Sequence, residues 1–310
     1  MKILKIFLLF VVVAAALALA SIWKVGAWNL VFPSHHHDTV APAIPGDLAS
    51  PAVLVFSKTN SFRHGEGIAG GAKVLQEIAA KHNWGLFHTE NGAVFNAQDL
   101  SRFDVVVFLN ASGDVLNDAQ EHAFETWLQA GGGWLGIHAA GDSSHLGWQW
   151  YRDNLIGATF TAHIMGPQFQ RATVVLENHQ HPVLGNLPDV WQHEEEWYSW
   201  ERSPRVEGFT ILAVLDEDSY TPVQNFMGQS RDLRMGDHPV VWSKCVGNGR
   251  SVYAAMGHKA EAFEQPQVRQ LLENSLAWLI EDKDGVCATA VAQDSVMTSV
   301  SNGGMSPSGN

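Results

Sequence analysis

Short apolar runs alternate with helical patterns in the first half of the chain, and this alternation constrains the fold more than any other feature. The runs are AVLVFS (52–57), WGLFHTE (84–90), FDVVVFLN (103–110) and GWLGIH (133–138). A continuous β-branched and aromatic run is typical of a strand buried on both faces, as in parallel sheets. Residues 66–82 carry a helical apolar stripe, and Asn117 with Gln120 forms a capping-box pattern ahead of a second helix. This order predicts an α/β fold with a doubly wound, mostly parallel sheet flanked by helices.

The second half of the chain extends this pattern. Further strands are predicted at 172–177, 209–215, 239–244 and 250–257, with a tight turn at Gly247–Gly249 between the last two. A closing helix is expected near Pro266, because proline is favoured in the first turn of a helix. We therefore predict a single globular domain over residues 52–282.

The two ends of the chain differ from this domain in composition. Lys2 and Lys5 precede an unbroken apolar run, 6–23, whose length of about 18 residues is near the minimum for a membrane span. The letters ALA followed by S at 18–21 also fit a signal-peptidase site. We predict that residues 1–23 are a signal peptide or a membrane anchor, 24–51 a linker and 283–310 a disordered tail. Both N-terminal alternatives place the domain outside the cytoplasm.

Charge and cysteine content exclude several classes of protein. The net charge of −13 argues against a nucleic-acid partner, which favours a basic face. The 2 cysteines, Cys245 and Cys287, provide neither a disulfide framework nor a thiolate metal site. Pairing between them is possible, but two free or incidental thiols are the expectation.

Polar and titratable side chains follow the predicted strands where those strands end. Ligands of open parallel sheets bind beyond the carboxyl ends of the strands, so these side chains are candidates for a site. They are Arg63, His64, Asn110, Asp114, His138, Asp142, His145, His163, Glu195, Glu196, Tyr198, Asp237, His238 and His258. Imidazole with carboxylate suits zinc or a similar divalent metal, and the same groups without a metal suit general acid–base catalysis. The spacing is not diagnostic, because the sequence contains no H-x-x-x-H or HEXXH unit, so both alternatives stay open.

Each candidate also has a purely structural interpretation. Taken alone, His138 is more often expected to be a buried histidine bonded to a backbone carbonyl, and Asp114 is equally compatible with a turn cap. The acidic run 194–196 can be a solvated surface. The aromatic stretch HLGWQWY (145–151), which contains Trp148, can be core or a stacking platform for a sugar ring.

Several longer motifs carry a resemblance to a known family. They include FRHGEGIAGG, VVVFLNASGDVL, AGGGWLGIHAAGD, WYRDNLIGATFTAH, EEEWYSW, GDHPVVW and GRSVYAAMGH, in that order. The chain is similar over about residues 52–280 to the ThuA-like (trehalose utilisation) family. That family resembles class I glutamine amidotransferases in fold, which implies a flavodoxin-like sheet. In amidotransferases the turn after the central strand carries a cysteine nucleophile, but here it carries His138, so glutamine hydrolysis is not expected.

The resemblance implies a role in the catabolism of trehalose or a related disaccharide, or of its 3-keto derivative. On this basis the catalytic candidates are His138, Glu196, His258 and Asp142. The substrate-binding candidates are His64, Asp114, Trp148, Tyr198 and His163. A divalent metal such as zinc would be bound by His138, His163 and His238. Glu195 stands where the family motif has an aspartate, and the N-terminal segment lies outside the family domain.

Three functions follow as hypotheses. The first is an extracytoplasmic enzyme, a hydrolase or lyase, that acts on a small carbohydrate. The second is a non-catalytic carbohydrate-binding or accessory domain, suggested by the altered turn and by the 12 tryptophans. The third is a metal-dependent hydrolase of a non-sugar substrate. The partners expected are a small carbohydrate and, through the N-terminal segment, a membrane.

Overall fold

A mixed sheet forms the centre of the domain in the computed structural model, which describes residues 2–145, 147–226 and 228–281. The strands in chain order are β1 (Ala52–Phe56), β2 (Gly85–Thr89), β3 (Val105–Leu109), β4 (Gly133–Ile137), β5 (Phe160–His163), β6 (Gln170–Leu176), β7 (Val190–Glu195), β8 (Tyr198–Trp200), β9 (Thr210–Asp216), β10 (Val223–Phe226), β11 (Gln229–Asp232), β12 (Pro239–Val246) and β13 (Gly249–Ala254). Within the described residues the main sheet has 9 strands, in the order β2-β1-β3-β4-β13-β12-β9-β6-β7.

The first half of this sheet is the predicted parallel core. Strands β2, β1, β3, β4 and β13 are parallel neighbours, and every residue of β1, β3, β4 and β13 is buried. The second half, β12-β9-β6-β7, is antiparallel. The sheet is therefore mixed, and the predicted α/β class is confirmed. The turn between β12 and β13 lies at Gly247 and Asn248, since Val246 pairs with Gly249.

Helices flank the sheet. The helices of the described residues, in chain order, are α1 (Lys2–Lys24), α2 (Trp28–Val31), α3 (Gly65–His82), α4 (Ala97–Leu100), α5 (Asp118–Gln129), α6 (Gln149–Tyr151), α7 (Ala260–Glu264) and α8 (Pro266–Glu281). The capping box at α5 is present: the Asn117 side chain accepts from the backbone N–H of Gln120, and the Gln120 side chain accepts from that of Asn117. The closing helix α8 begins at Pro266, as predicted.

Helix α1 is the single described helix long and apolar enough to cross a membrane. It has a mean hydropathy of 2.8 over its most apolar window, and none of its residues is buried. These properties are compatible with a signal peptide or a membrane anchor.

The segment predicted as a linker, 24–51, lies along the domain and is bonded to it. Asp38 forms an ion pair with Lys58 and accepts a hydrogen bond from the backbone N–H of Gly92 at 2.9 Å. Asp114 lies 3.1 Å from His35 Nδ1 and 2.9 Å from His37 Nε2. This segment therefore has a fixed path over the loops that follow β1 and β3.

One sequence expectation at the other end of the chain is wrong. Cys245 on β12 is disulfide-bonded, so it is not a free thiol. The sequence contains one other cysteine, Cys287, which lies outside the described residues, as does the predicted tail 283–310.

Candidate active site

His138 occupies the sharp turn at the carboxyl end of β4. Its φ of +48° lies in the left-handed region, which is costly for a residue with a side chain. Two hydrogen bonds hold it there: the Tyr253 hydroxyl donates to the His138 carbonyl at 2.7 Å, and His138 Nδ1 donates to the Ala255 carbonyl at 2.7 Å. The imidazole is fully buried. The turn after β4 thus directs this side chain into the interior of the protein.

The contact with Ala255 fixes which ring nitrogen of His138 is available. A carbonyl can only accept, so Nδ1 carries the hydrogen and Nε2 of the neutral ring has a lone pair. Nε2 lies 3.2 Å from His258 Nδ1 and 3.4 Å from Glu196 Oε2. A histidine whose second nitrogen donates to a backbone carbonyl is the usual arrangement of a metal ligand.

Glu196 lies at the centre of the site, immediately after β7. Its Oε2 lies 3.0 Å from His258 Nδ1, and its Oε1 lies 3.0 Å from His163 Nδ1 and accepts a hydrogen bond from Gln168. Burial raises the pKa of this carboxyl, but hydrogen bonds from His138 and His258 outweigh burial and hold the pKa well below its usual range. Glu196 is therefore an anion with only 2% of its side chain exposed.

The contact that lowers the pKa of Glu196 raises the pKa of His138. Burial lowers the pKa of His138, but the hydrogen bond to Glu196 and the charges of Glu195 and Glu196 outweigh burial and raise it. Without a further ligand, His138 and Glu196 form a buried ion pair.

His64 completes the cluster from the start of α3. Its ring lies edge-on to the rings of His138 and His258, with centroid distances of 4.8 and 4.6 Å. Its Nδ1 is buried and has no hydrogen-bond partner among the described residues. Burial first, and then the neighbouring imidazoles, lower the pKa of His64 well below its usual value. A neutral, buried imidazole with an unused nitrogen is suited to a metal ion.

The geometry of these side chains suits a divalent cation. His64, His138, Glu196 and His258 each offer one ligand atom, and these atoms lie within 4.8 Å of one another. Zinc with ligands at about 2.1 Å in tetrahedral geometry separates neighbouring ligand atoms by about 3.4 Å. Small side-chain rotations would bring the ligand atoms from separations of up to 4.8 Å to the separation that zinc requires. The donor set of three imidazoles and one carboxylate is typical of zinc and similar metals.

Glu195 supports this cluster without belonging to it. It is 1% exposed, and its carboxylate accepts hydrogen bonds from the backbone N–H groups of Gly257 at 2.7 Å and Glu196 at 2.9 Å. Asn110 acts from the other side, where its side chain donates to the Gly257 carbonyl at 3.0 Å. Together they fix the turn that presents His258. Both residues are among the strand-end candidates of the sequence, but neither is predicted to be a catalytic, substrate-binding or metal-binding residue.

The predicted metal ligands His138, His163 and His238 are not brought together. His238 Nδ1 lies 2.8 Å from Glu217 Oε1, and its Nε2 donates to the Tyr198 carbonyl at 2.8 Å. Both of its nitrogens are therefore occupied away from the cluster, and the prediction of His238 as a ligand is wrong. His163 contacts the cluster only through Glu196, while His64 and His258 lie within it.

Two predicted carboxylates also lie outside the cluster. Asp142 accepts hydrogen bonds from the backbone N–H and the hydroxyl of Ser144, so it caps the turn after His138. Burial raises the pKa of Asp142 to about 6. Asp114 contacts His35 and His37, which belong to the N-terminal segment.

The aromatic candidates are mostly core residues. Trp148 is 4% exposed, packs on Phe124 and Tyr151, and donates through Nε1 to Glu125 at 2.8 Å. It presents no open face to a sugar, which favours the core alternative. Tyr198 is also buried, but its ring lies 4.3 Å from that of His138, so it forms part of the wall of the site.

Comparisons with known proteins agree with this architecture. The family model for ThuA, described as trehalose utilisation, matches residues 52–279. The chain resembles the crystal structure of a ThuA-like protein from Bacteroides uniformis with 26% identity and a TM-score of 0.66, over 79% of this chain and 97% of that one. A ThuA-like protein from Parabacteroides merdae has 18% identity and a TM-score of 0.58, over 75% and 91%. A search of curated proteins returns no match.

The chain belongs to the ThuA family, and its fold is consistent with the glutamine amidotransferase-like superfamily. This membership supports a role related to trehalose utilisation.

Proposed function

We propose that this protein is an enzyme that acts on a disaccharide of the trehalose type, or on its 3-keto derivative, outside the cytoplasm. The observation that carries the proposal is the buried cluster of His64, His138, Glu196 and His258 at the carboxyl ends of the strands. Structural cores rarely bury an anion among three imidazoles, whereas active sites do so routinely. Membership of a family described as trehalose utilisation supports this choice of substrate class.

We further propose that these four residues bind a divalent ion such as zinc. The unpartnered Nδ1 of His64 and the available Nε2 of His138 support this assignment. When bound, such an ion would stabilise negative charge on a substrate oxygen. A metal would also replace the buried proton shared by His138 and Glu196, because ligands must be deprotonated.

The side chains of the site differ in their exposure to solvent, which suggests different roles for them. His138 is fully buried, whereas His258 and His163 keep 14% and 25% of their side chains exposed. His258 and His163 are therefore placed to meet a substrate, and both contact Glu196, which orients them. In a 3-keto sugar the C–H next to the carbonyl is acidic. The imidazole of His163, which is not one of the four proposed ligands, would take that proton. The C–O bond to the second sugar would then break as a C=C bond forms next to the carbonyl, and a proton would pass to the leaving oxygen.

The test combines metal analysis with turnover. Full-length protein would be purified as wild type, Glu196→Gln, His258→Ala and the control His122→Ala, whose imidazole is 81% exposed on α5. We expect about one divalent ion per wild-type and control chain and its loss in Glu196→Gln. With trehalose and 3-keto-trehalose as substrates, we expect release of free sugar by wild type and control. Turnover should fall by about 100-fold or more in both site variants, the usual effect of removing an acid–base group.

The alternatives give different outcomes in the same experiment. Sugar binding measured by calorimetry, with no turnover in any variant, would identify a non-catalytic carbohydrate-binding domain. Bound metal without turnover of any sugar would favour a hydrolase of another substrate. Equal activity of wild type and Glu196→Gln would refute the proposed site.

A further inference from the structure

A patch of exposed apolar side chains follows helix α1. We name residues 23–32 the juxtamembrane foot. Its large apolar side chains are each at least 39% exposed, and they are Trp23, Val25, Trp28, Leu30, Val31 and Phe32. Trp28 and Phe32 pack on each other with ring centroids 4.6 Å apart. Soluble proteins seldom expose a contiguous patch of so many large apolar side chains, so this patch indicates a binding partner.

The position of the foot indicates which partner. It continues directly from α1, the helix with the length and hydropathy of a membrane span. The first acidic residue of the sequence is Asp38, and Lys2, Lys5 and Lys24 precede it, although the whole chain carries a net charge of −13. Tryptophan and phenylalanine beside a basic residue are typical of segments at the level of lipid headgroups.

The foot is also fixed to the loop that carries His64. The backbone N–H of Arg63 donates to the Gly26 carbonyl at 2.9 Å, and the Asn29 side chain donates to the Thr59 carbonyl at 2.9 Å. Gly26 has a φ of +81°, and a Cβ there would lie 2.1 Å from the Arg63 carbonyl oxygen. No side chain is tolerated at that contact, so foot and loop approach as closely as two backbones can.

We propose that the juxtamembrane foot lies in the interface of a phospholipid bilayer and holds the loop 59–64, with His64 at its end, next to the lipid surface. This surface persists whether α1 remains as an anchor or is removed after residue 20. In either case the loop 59–64 connects the membrane-bound foot directly to His64 of the candidate site, so the site is held near the membrane and is not joined to it by a flexible linker.

The first test locates Trp28. Full-length protein would be placed in nanodiscs of phosphatidylcholine and phosphatidylglycerol, with and without acyl-brominated lipid. The fluorescence of Trp28 is obtained by subtracting the spectrum of Trp28→Tyr from that of the wild type. The same subtraction with Trp127→Tyr gives the fluorescence of Trp127, a half-buried tryptophan on α5 that serves as the control. We expect brominated lipid to quench the Trp28 difference and aqueous iodide to leave it unchanged, with no lipid quenching for Trp127. Quenching of Trp28 by iodide and not by brominated lipid would overturn the proposal.

The second test concerns the connection to the loop. Gly26→Ala is compared with Gly46→Ala, since a Cβ at Gly46 meets nothing within 4 Å. Hydrogen exchange of the peptide 59–64 in nanodiscs should become at least several-fold faster in Gly26→Ala and stay unchanged in Gly46→Ala. Lipid quenching of Trp28 with equal exchange in both variants would show a foot that does not position the loop, and would overturn that part of the proposal. Protection of Trp28 from both quenchers would point to a protein partner and refute the lipid surface.

Discussion

Gly67, in the first turn of α3, controls how closely that helix approaches the candidate site. A Cβ at Gly67 would lie 2.3 Å from the Gly257 carbonyl oxygen and 2.7 Å from the His258 carbonyl oxygen. Both neighbours are backbone atoms of the turn that presents His258, so neither can move away alone. Gly67→Ala must therefore shift the turn, the helix or both.

The size of this effect can be estimated against a matched control. Inserting a methyl group into a packed site costs about 1–3 kcal/mol, and the gain in helix propensity over glycine returns about 0.5–1 kcal/mol. We expect Gly67→Ala to lower the free energy of unfolding by about 0.5–2 kcal/mol. Gly65, two residues earlier in α3, is exposed, and a Cβ at that position would meet nothing within 4 Å. Gly65→Ala should leave stability unchanged or raise it by a few tenths of a kcal/mol.

Urea unfolding followed by circular dichroism would give the two free energies, and zinc titration of each variant would report on the site. Gly67→Ala should bind zinc more weakly than Gly65→Ala, because the turn that carries His258 is displaced. Equal midpoints and equal zinc affinity for the two variants would show that α3 does not pack against this turn as described.

Three further predictions concern residues that support the fold. Burial raises the pKa of Glu217, but the hydrogen bonds from His238 and two backbone N–H groups outweigh it and lower the pKa from 4.5 to about 2. This stabilisation is fully present above the unfolded pKa of 4.5 and is lost as the pH falls toward 2; it amounts to at most about 3 kcal/mol. Glu217→Gln should therefore flatten the acid limb of stability between pH 4.5 and 2 in thermal unfolding, and an unchanged limb would contradict the pairing. Asn117→Ala removes the cap of α5 and should cost about 1 kcal/mol in urea unfolding, whereas no change would show that the capping box contributes nothing. Asn110→Ala leaves the Ala139 N–H and the Gly257 carbonyl without their buried partner and should cost about 1–3 kcal/mol by the same assay, with a loss below about 0.5 kcal/mol as the contrary result.

The parallel half of the fold could be predicted because its signals are local. The uniformly apolar β1, β3 and β4 and the cap at Asn117 each depend on a few neighbouring residues. The position of His138 follows from the same logic, since a strand that ends in a sharp turn presents the next side chain at the sheet edge. These features need no knowledge of what lies far away in the sequence.

Local patterns alone could not single out the members of the site, for the opposite reason. The motifs shared with the ThuA-like family are what name all four residues of the cluster, His64, His138, Glu196 and His258, as candidates. Glu196 follows β7, the edge strand of the antiparallel half, yet it meets His138 and His258 from the parallel half. No local pattern distinguishes it from the solvated acidic run that 194–196 also resembles. His238 shows the converse error: its position at a strand end suggests a ligand, but Glu217, 21 residues earlier, occupies its ring.

The turn at His138 shows how a fold can keep a strained position while changing its chemistry. The left-handed φ at this residue costs about 1 kcal/mol or more, and the bonds to Tyr253 and Ala255 are what maintain it. In amidotransferases the same turn exposes a thiol for covalent attack. An imidazole cannot form the thioester that a cysteine forms. With Nδ1 bonded to a carbonyl, however, it presents a lone pair at Nε2 in a fixed direction. The strained backbone conformation therefore fixes the direction in which the side chain points. The type of residue at this position then decides whether the atom at its end acts as a nucleophile, a base or a metal ligand.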